Sequence, residues 1–393
     1  MLKIYNKSNA GELYKILKNR MDAEFGRALN FAGEAIENVK ENGDKALRHY
    51  TQKFDGAELG DFYMSNAEIK QIYDKCDKNL IIIMEKAARN IEEYHKRQVP
   101  TPYTIKKDGV ILGQRALPLG RAALYVPGGT ASYPSTALMN AIPAKIAGVG
   151  ELVILTPPKK SEPHGVKPEV VAAAKICGID KIFRVGSAWA VAAAAYGTES
   201  LDRADIIVGP GNIYVAAAKK LVFGTVAIDM LAGPSEILVI ADKWADPKFI
   251  AADLMSQAEH DILASSVLVT DSAELIDKVN AEIAAQIKNL SRREIIESSL
   301  TQYGGAVLCD NIEEAIDIAN IVAPEHLELL VENCFDKLDL VKNAGSVFLG
   351  AYSPEPLGDY FAGPDHVLPT GRTSKFFSPL SADTYMRKIN LIH

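Results

Sequence analysis

The first quarter of the chain has a helical pattern of apolar positions. Apolar residues recur at helical spacing through residues 25–39 and 80–94, and prolines at positions 100 and 102 break the second pattern. We therefore predict a helical scaffold over residues 1 to about 98, followed by a short β-like stretch over residues 103–116.

Beyond this stretch, short apolar runs alternate with longer helical patterns. The apolar runs of the first series cover residues 122–126, 152–155, 181–185 and 206–208, and its helical patterns cover 136–147, 170–177 and 214–223. The apolar runs of the second series cover 237–240, 266–270, 306–308 and 346–349, and its helical patterns cover 247–257, 273–289 and 312–321. Such alternation indicates βαβ units. The predicted fold is α/β, with two doubly wound, incomplete Rossmann-like parallel sheets after an N-terminal helical segment.

Composition narrows the possible functions. The chain has 393 residues, 48% of them hydrophobic, and a formal charge of −7 without any basic block, which argues against nucleic acid or an anionic membrane as partner. No apolar run approaches the ~20 residues that span a bilayer, and the N-terminus lacks a signal-peptide pattern. We expect a cytoplasmic protein with a small-molecule substrate.

The cysteines limit the kinds of metal site. Cys76, Cys177, Cys309 and Cys334 are far apart and form no C-x-x-C pair, as is typical of reduced cysteines in a cytoplasmic protein. Any metal ion would therefore be bound by imidazole, carboxylate or amide groups.

Ligands of doubly wound folds bind beyond the carboxyl ends of the strands, so we expect functional motifs just after strands. The GPGN segment, residues 209–212, follows one predicted strand and opens a helix, where backbone N–H groups could hold an anion. The YVPGG segment, residues 125–129, is similar. Both could equally be ordinary turns. No G-x-G-x-x-G fingerprint accompanies them.

Two further motifs carry polar side chains, but each indicates a function only weakly. Ser235, in AGPSE, has no partner that would make it a nucleophile, which leaves substrate contact or turn capping. Gln257 and His260 are three residues apart at the end of a predicted helix and could share a metal ion from one helical face, although such a pair is more often a surface or capping pair.

The last motifs offer acid–base chemistry. Glu325 and His326 are adjacent in VAPEH, and a carboxylate beside an imidazole suits general base catalysis, although adjacent side chains normally point apart. Asp359 and His366 lie in GDYFAGPDH, a Gly- and Pro-rich loop. Asp359 could complete a zinc site with Gln257 and His260.

Taken in order, YVPGG, GPGN, AGPSE, SQAEHD, VAPEHLEL and GDYFAGPDHVLPTGRTSKFFSPLS closely resemble the histidinol dehydrogenase family over nearly the whole chain. The resemblance implies a zinc enzyme, a homodimer, that oxidises L-histidinol to L-histidine in two NAD-dependent steps through histidinal. This reaction is the last step of histidine biosynthesis.

The resemblance also implies residue roles. The implied zinc ligands are Gln257, His260 and Asp359, which with Ser235 and His326 also contact the substrate. His326 would take the hydroxyl proton, Glu325 would activate water to hydrate the aldehyde, and the implied cofactor contacts are Tyr125 and Asn212.

The resemblance also implies a division of the chain. Residues 1–22 would form a helical segment, 23–124 together with 236–380 the zinc and substrate domain, and 125–235 the cofactor domain. Residues 381–393 would begin a truncated C-terminal tail.

Two departures from the family pattern stand out. Trp189 replaces a cofactor-contacting Gln, so that contact is lost or becomes stacking. The family also continues into a small C-terminal domain that supplies a fourth zinc ligand, a His, and a substrate-binding Glu. Neither is found in this sequence, which predicts either a truncated chain or a natural short form.

Three alternatives remain open from the residues. The chain could be a related dehydrogenase of another small alcohol, such as a sulfonated propanediol, or an inactive truncated paralogue that binds a ligand or partner. A metallohydrolase built on His260, Asp359 and His326 would leave Tyr125 and GPGN unexplained.

Overall fold

The computed structural model describes residues 2–20, 22–128, 133–162 and 164–393. Its strands are β1 (Lys3–Asn6), β2 (Tyr103–Lys107), β3 (Val110–Pro118), β4 (Arg121–Tyr125), β5 (Glu151–Leu155), β6 (Ile182–Phe183), β7 (Ile206–Val208), β8 (Ala227–Ile228), β9 (Glu236–Ala241), β10 (Ser265–Thr270), β11 (Gly305–Leu308), β12 (His326–Leu330), β13 (Ser346–Leu349) and β14 (Met386–Ile392). Its α-helices are α1 (Ala10–Asn19), α2 (Asp22–Tyr50), α3 (Asn66–Lys75), α4 (Lys78–His95), α5 (Pro134–Ala147), α6 (Pro168–Ile176), α7 (Ser187–Tyr196), α8 (Ile213–Val222), α9 (Pro247–Ala258), α10 (Ala273–Gln286), α11 (Arg293–Tyr303), α12 (Ile312–Val322) and α13 (Glu355–Leu357). Gly129, the last residue of YVPGG, lies outside the described residues.

The chain forms two compact units. Unit 1 comprises Met1–Asp22, Ala232–Gly358 and Leu368–Pro379, and unit 2 comprises Ala23–Leu231, Asp359–Val367 and Leu380–His393. This division differs from the one expected from the sequence, which placed residues 23–124 with 236–380. The α2–α4 region instead clusters with the β4–β8 region, because helices α3 and α4 pack on α6 and α5.

Unit 1 is built on a six-stranded parallel sheet with the order β1-β11-β10-β9-β12-β13. Strands β9 and β10 are buried along their whole length, as expected of a sheet covered on both faces. One face packs on α9, α10 and α11, and the other packs on α1 and α12. The predicted α/β class is confirmed.

Two strands of unit 1 were not expected from the sequence. Residues 3–6 form β1 and pair with β11, although a helical segment was predicted for residues 1–22. The four residues are too few to give a periodic signal, and only Tyr5 among them is buried. The other strand is β12, which begins at His326, where a loop was expected.

Unit 2 contains a five-stranded parallel sheet with the order β6-β5-β4-β7-β8. The strands of the first predicted series form four of the five strands of this sheet, β6, β5, β4 and β7, and Ala-rich helices such as α7 pack in the core around it. Small alanine side chains allow helix and sheet to approach closely, so a large core is built with few bulky residues.

Unit 2 also contains a three-stranded antiparallel sheet with the order β14-β3-β2. The predicted β-like stretch is a hairpin that turns at Asp108 and Gly109, where φ is 38° and 83°. Residues 386–392, within the stretch 381–393 that was expected to begin a truncated tail, form β14 and pair with β3 along their whole length. Among the described residues, no helix combines the length and apolar character needed to cross a membrane.

Candidate active site

His326 and Glu325 both contact the backbone of Glu236 in unit 1. The backbone N–H of Glu236 donates to Glu325 Oε2 at 2.9 Å, and His326 Nδ1 lies 2.9 Å from the carbonyl oxygen of Glu236. Strands β12 and β9 are neighbours in the sheet, which brings these three residues together. The side chains of His326 and Glu325 therefore converge, with Nδ1 and Oε2 3.7 Å apart, although adjacent side chains usually diverge.

This contact fixes the tautomer of His326. A carbonyl oxygen can only accept a hydrogen bond, so Nδ1 must carry the proton and donate it. The lone pair of the neutral ring is then on Nε2, as general base chemistry requires. The imidazole is almost completely buried and packs against the Phe348 ring at 5.9 Å. The ring is therefore oriented before any substrate binds.

Glu236 is itself anchored by Arg20, which follows helix α1. The Arg20 guanidinium contacts the Glu236 carboxylate and donates to the carbonyl oxygens of Pro234, at 3.0 Å, and Leu263, at 3.2 Å. Both side chains are buried. Burial raises the pKa of the Glu236 carboxyl, and the Arg20 charge opposes this rise. The ion pair fixes the start of β9, to which His326 and Glu325 bind.

Gln257 lies in the last turn of α9, and His260 lies beyond the end of that helix. Gln257 is 1% exposed, and its Oε1 atom is buried without a hydrogen-bond partner among the described residues. The helix ends at Ala258, and the backbone N–H of His260 donates to the carbonyl oxygen of Gln257 at 3.2 Å. The expectation that both residues share one helical face was therefore wrong.

Ser235 is half-buried and directly precedes β9. Its carbonyl oxygen accepts a hydrogen bond from the Ser265 N–H at 3.0 Å. Ser235 and His326 thus lie at the amino ends of β9 and β12, and Gln257 lies on the helix that leads into β10. We expected functional motifs at the carboxyl ends of the strands. In unit 1 that expectation was wrong.

The sequence interpretation missed Glu355 and Glu328. Glu355 opens α13, is 1% exposed, and offers a ligand atom within 4.8 Å of one on His326. Its backbone N–H donates to Glu328 Oε1 at 2.9 Å. A signal for Glu328 was available, because it is a carboxylate inside the apolar strand HLELL. Glu355 stands beside a proline in a loop-like segment, which gives no comparable signal.

Asp359 and His366 belong to unit 2. Asp359 is buried in a π-helical turn over Gly358–Ala362, four residues after Glu355 in the chain. Its carbonyl oxygen lies 2.9 Å from His366 Nδ1, and the Nε2 atom of His366 lies 3.3 Å from Thr136 Oγ1. His366 therefore orients the backbone at Asp359.

Tyr125 and the GPGN segment lie at the carboxyl ends of adjacent strands in unit 2. Tyr125 ends β4, and GPGN follows β7, which pairs with β4. The Tyr125 hydroxyl accepts a hydrogen bond from the Ser187 N–H at 3.0 Å. In unit 2, therefore, both motifs lie beyond the carboxyl ends of the strands, where doubly wound folds bind their ligands.

Asn212 caps helix α8. Its Oδ1 atom accepts hydrogen bonds from the N–H groups of Tyr214, at 3.1 Å, and Val215, at 3.2 Å. Asn212 is exposed. Because its Oδ1 atom caps the helix, the amide NH₂ group is the part of the side chain that can contact a ligand.

A buried ion pair holds the GPGN segment. Lys219 and Asp229 form a salt bridge in which both side chains are at most 2% exposed. Lys219 Nζ also donates to the carbonyl oxygen of Gly209 at 3.1 Å, and the Gly209 N–H donates to Asp229 Oδ2 at 2.7 Å. A Cβ at Gly209, where φ is 105°, would lie 2.2 Å from the Tyr125 carbonyl oxygen. The sequence interpretation missed this pair.

Trp189 stacks on aromatic rings within unit 2. Its ring centroid lies 5.3 Å from that of Tyr50 and 5.5 Å from that of Phe54, at interplanar angles of 18° and 23°. Trp189 is 3% exposed. The side chain is thus part of the core.

Comparison with known proteins places this α/β enzyme in a family. The family model described as histidinol dehydrogenase matches residues 18–393. The chain is 54% identical over 385 residues to the histidinol dehydrogenase of Clostridium acetobutylicum, covering 98% of this chain and 89% of that protein. It is 52% identical over 357 residues to that of Lactococcus lactis, covering 90% of this chain and 82% of that protein.

Solved structures agree with this match. The crystal structure of histidinol dehydrogenase from Elizabethkingia anophelis superposes with a TM-score of 0.92 at 36% identity, covering all of this chain and 90% of that one. An aldehyde dehydrogenase from Brucella melitensis is 14% identical at a TM-score of 0.51, covering 93% of this chain and 89% of that one, which is a likeness of fold alone.

The chain belongs to the histidinol dehydrogenase family. The predicted resemblance is confirmed. Neither the dehydrogenase of a sulfonated diol nor the inactive paralogue is favoured by these matches.

Proposed function

We propose that this chain oxidises L-histidinol to L-histidine, through histidinal, with NAD as oxidant. Family membership supports the substrate and the place of the reaction at the end of histidine biosynthesis. The observation that carries the proposal is the buried His326 ring, whose Nδ1 atom is engaged by the Glu236 carbonyl oxygen and whose Nε2 atom bears the lone pair.

His326 acts as the general base in the alcohol oxidation. As the hydride leaves the alcohol carbon, Nε2 accepts the hydroxyl proton and the C–O bond becomes the aldehyde C=O. The Glu236 carbonyl oxygen stabilises the resulting imidazolium, because it accepts a hydrogen bond from Nδ1–H in either protonation state.

Glu325 acts on the aldehyde. Its carboxylate accepts a proton from water as the water oxygen adds to the aldehyde carbon, and the former carbonyl oxygen takes up the proton that His326 gained in the first step, which gives the hydrate that undergoes the second oxidation. The hydrogen bond from the Glu236 N–H to Oε2 holds this carboxylate close to His326. The two bases thus serve one bound substrate.

Gln257, His260 and Asp359 are the zinc ligands of this proposal. An amide oxygen, an imidazole and a carboxylate form a donor set that zinc accepts. The buried Oε1 of Gln257, which has no hydrogen-bond partner among the described residues, fits the role of a ligand. A zinc ion held by these three side chains would supply a Lewis-acidic template that orients the substrate for oxidation. Ser235 contacts the substrate, as do the ligands and His326.

Tyr125 and Asn212 are the cofactor contacts of this proposal. Both lie where doubly wound sheets bind nucleotides, and each NAD that binds there would accept one hydride, so the two oxidation steps would use two NAD molecules. Asn212 can donate a hydrogen bond to the cofactor from its amide NH₂ group, because its amide oxygen caps α8. We further propose that the enzyme is a cytoplasmic homodimer without a nucleic-acid or membrane partner.

The experiment is NAD reduction followed at 340 nm with the zinc-loaded protein. We expect turnover with L-histidinol and none with a sulfonated propanediol at the same concentration. Preference for the diol would replace the proposed substrate, and absence of turnover with both would support the inactive paralogue.

A further inference from the structure

Unit 1 contains three buried carboxyl groups that interact with one another, those of Glu328, Asp253 and Glu355. His326 and Glu328 point to the same face of β12, because side chains alternate along a strand. Helix α9 covers that face, as the packing of Leu330 among α9 side chains shows. Asp253 lies on α9 one turn before Gln257.

Hydrogen bonds join Glu328 to Glu355. The backbone N–H of Glu355 donates to Glu328 Oε1 at 2.9 Å, which fixes the start of α13. The Ser256 hydroxyl lies 3.2 Å from Glu355 Oε2 and 2.9 Å from the carbonyl oxygen of Asp253. Glu355 is therefore held from β12 through its backbone and from α9 through its carboxyl group.

Glu328 and Asp253 must share a proton. The side-chain carboxyl groups of Glu328 and Asp253 interact directly. Glu328 is 1% exposed and Asp253 9%, and two carboxylates in contact at such burial cannot both be charged. Burial, and then the Asp253 charge, raise the pKa of Glu328 well above its usual value. A protonated Glu328 can donate from Oε2 to the Asp253 carboxylate while Oε1 still accepts the Glu355 N–H.

We propose that Glu328 and Asp253 are positioning residues, which act as a hydrogen-bonded pair to hold the Glu355 carboxylate beside the His326 imidazole. A carboxylate within about 4–6 Å of an imidazole favours the charged ring. Glu355 then stabilises the imidazolium that forms when His326 accepts the hydroxyl proton. The stabilisation of the imidazolium rests on the proposed function. The arrangement of Glu328, Asp253 and Glu355 does not depend on it.

The test compares two substitutions of Glu328. Glu328→Gln keeps an Oε1 acceptor for the Glu355 N–H and gains an NH₂ donor toward Asp253. Glu328→Leu removes both. We expect Glu328→Leu to lower kcat by about 10-fold or more with KM for L-histidinol changed less than about threefold, and Glu328→Gln to stay within about threefold of the wild type in both.

A second readout needs no turnover. The imidazole ¹⁵N resonances of His326, assigned with a His326→Asn variant, should shift in Glu328→Leu and stay in place in Glu328→Gln. Leu330→Ala, on the same face of the same strand but with an apolar side chain that contributes no carboxyl group, is the matched control for lost stability and should leave kcat and the resonances unchanged.

The outcomes separate the two proposals. Absence of histidinol oxidation by the wild type would overturn the proposed function, while the resonances would still decide the positioning role. Wild-type kcat and resonances in Glu328→Leu, or equal damage in Glu328→Gln, would overturn the positioning role. If Glu328→Leu does not fold, the double variant Asp253→Leu/Glu328→Leu, which removes both carboxyls, replaces it.

Discussion

The Nδ1 atom of His326 lies 2.9 Å from the carbonyl oxygen of Glu236. Glu325 binds the N–H of the same residue, so one residue of β9 orients both proposed bases. Arg20, from the first 22 residues of the chain, in turn fixes Glu236. The position of the proton-transfer pair at the start of β12 therefore depends on two other segments of unit 1, the start of β9 and the end of α1.

His326→Asn should separate ring orientation from base catalysis. The Asn amide NH₂ can replace Nδ1–H toward the Glu236 carbonyl oxygen, but it offers no acceptor at the place of Nε2. We expect kcat with L-histidinol to fall by about 10²–10⁴-fold, with thermal stability close to wild type. His49→Asn, an exposed residue of unit 2, is the control. A His326→Asn variant that keeps wild-type kcat would exclude His326 as the base.

Gln257→Ala should weaken metal binding. The substitution removes the buried Oε1 atom that we assign to zinc. After dialysis against a weak chelator, we expect the variant to retain less zinc than the wild type by mass spectrometry, whereas Gln286→Ala, at a surface helix, should retain the wild-type amount. Equal zinc contents in the wild type and both variants would argue against this ligand.

Lys219→Met should destabilise unit 2 and weaken the cofactor site. It leaves the Asp229 carboxylate buried without its counter-charge, and breaking such a pair costs about 3–5 kcal/mol. Urea denaturation measures the loss, and KM for NAD should rise because the GPGN segment loses its support. The double variant Lys219→Met/Asp229→Leu should recover part of the stability. Full stability in the single variant would contradict the role given to this pair.

Asp55→Asn should change the pH dependence of stability. Burial raises the pKa of Asp55 to about 6 in the folded chain. Because the folded pKa lies above the unfolded one, the contribution of Asp55 to stability is complete below about pH 4 and is lost as the pH rises through about 6. At pH 7 the variant should be more stable by about 1 kcal/mol, once partial exposure to solvent is allowed for, with no gain at pH 4.

Denaturation curves at the two pH values test this expectation, with Asp61→Asn, an exposed carboxyl of the same unit, as the control. A gain at pH 4 as large as at pH 7 would show that the carboxyl charge is not the cause.

The sequence predicts the regular parts of the fold well. Apolar runs such as those of β9 and β10 are buried on both faces, and this pattern depends on local residues alone. The sequence does not predict strand β1, and it predicts only the β2 and β3 part of the antiparallel sheet, without β14. The pairing of β1 and β14 joins segments far apart in the chain, and the antiparallel sheet leaves many side chains exposed.

The candidate site shows the same limit. Polar motifs around Glu325 and Tyr125 stand out against apolar sequence, but the partners that orient them do not. Arg20 and Lys219 look like ordinary surface cations in the sequence, and only the tertiary structure buries them against carboxylates. The convergence of Glu325 and His326 on Glu236 likewise depends on strand order, which no local pattern encodes.

The most direct test of the proposed reaction is the amount of NADH formed when a limiting amount of L-histidinol is fully consumed. Oxidation of an alcohol to a carboxylate releases two hydride equivalents, so the wild type should form two NADH per histidinol and yield L-histidine. Glu325→Gln, which can still accept the Glu236 N–H, should approach one NADH with histidinal trapped by a hydrazine. A single NADH from the wild type, or none, would contradict the account.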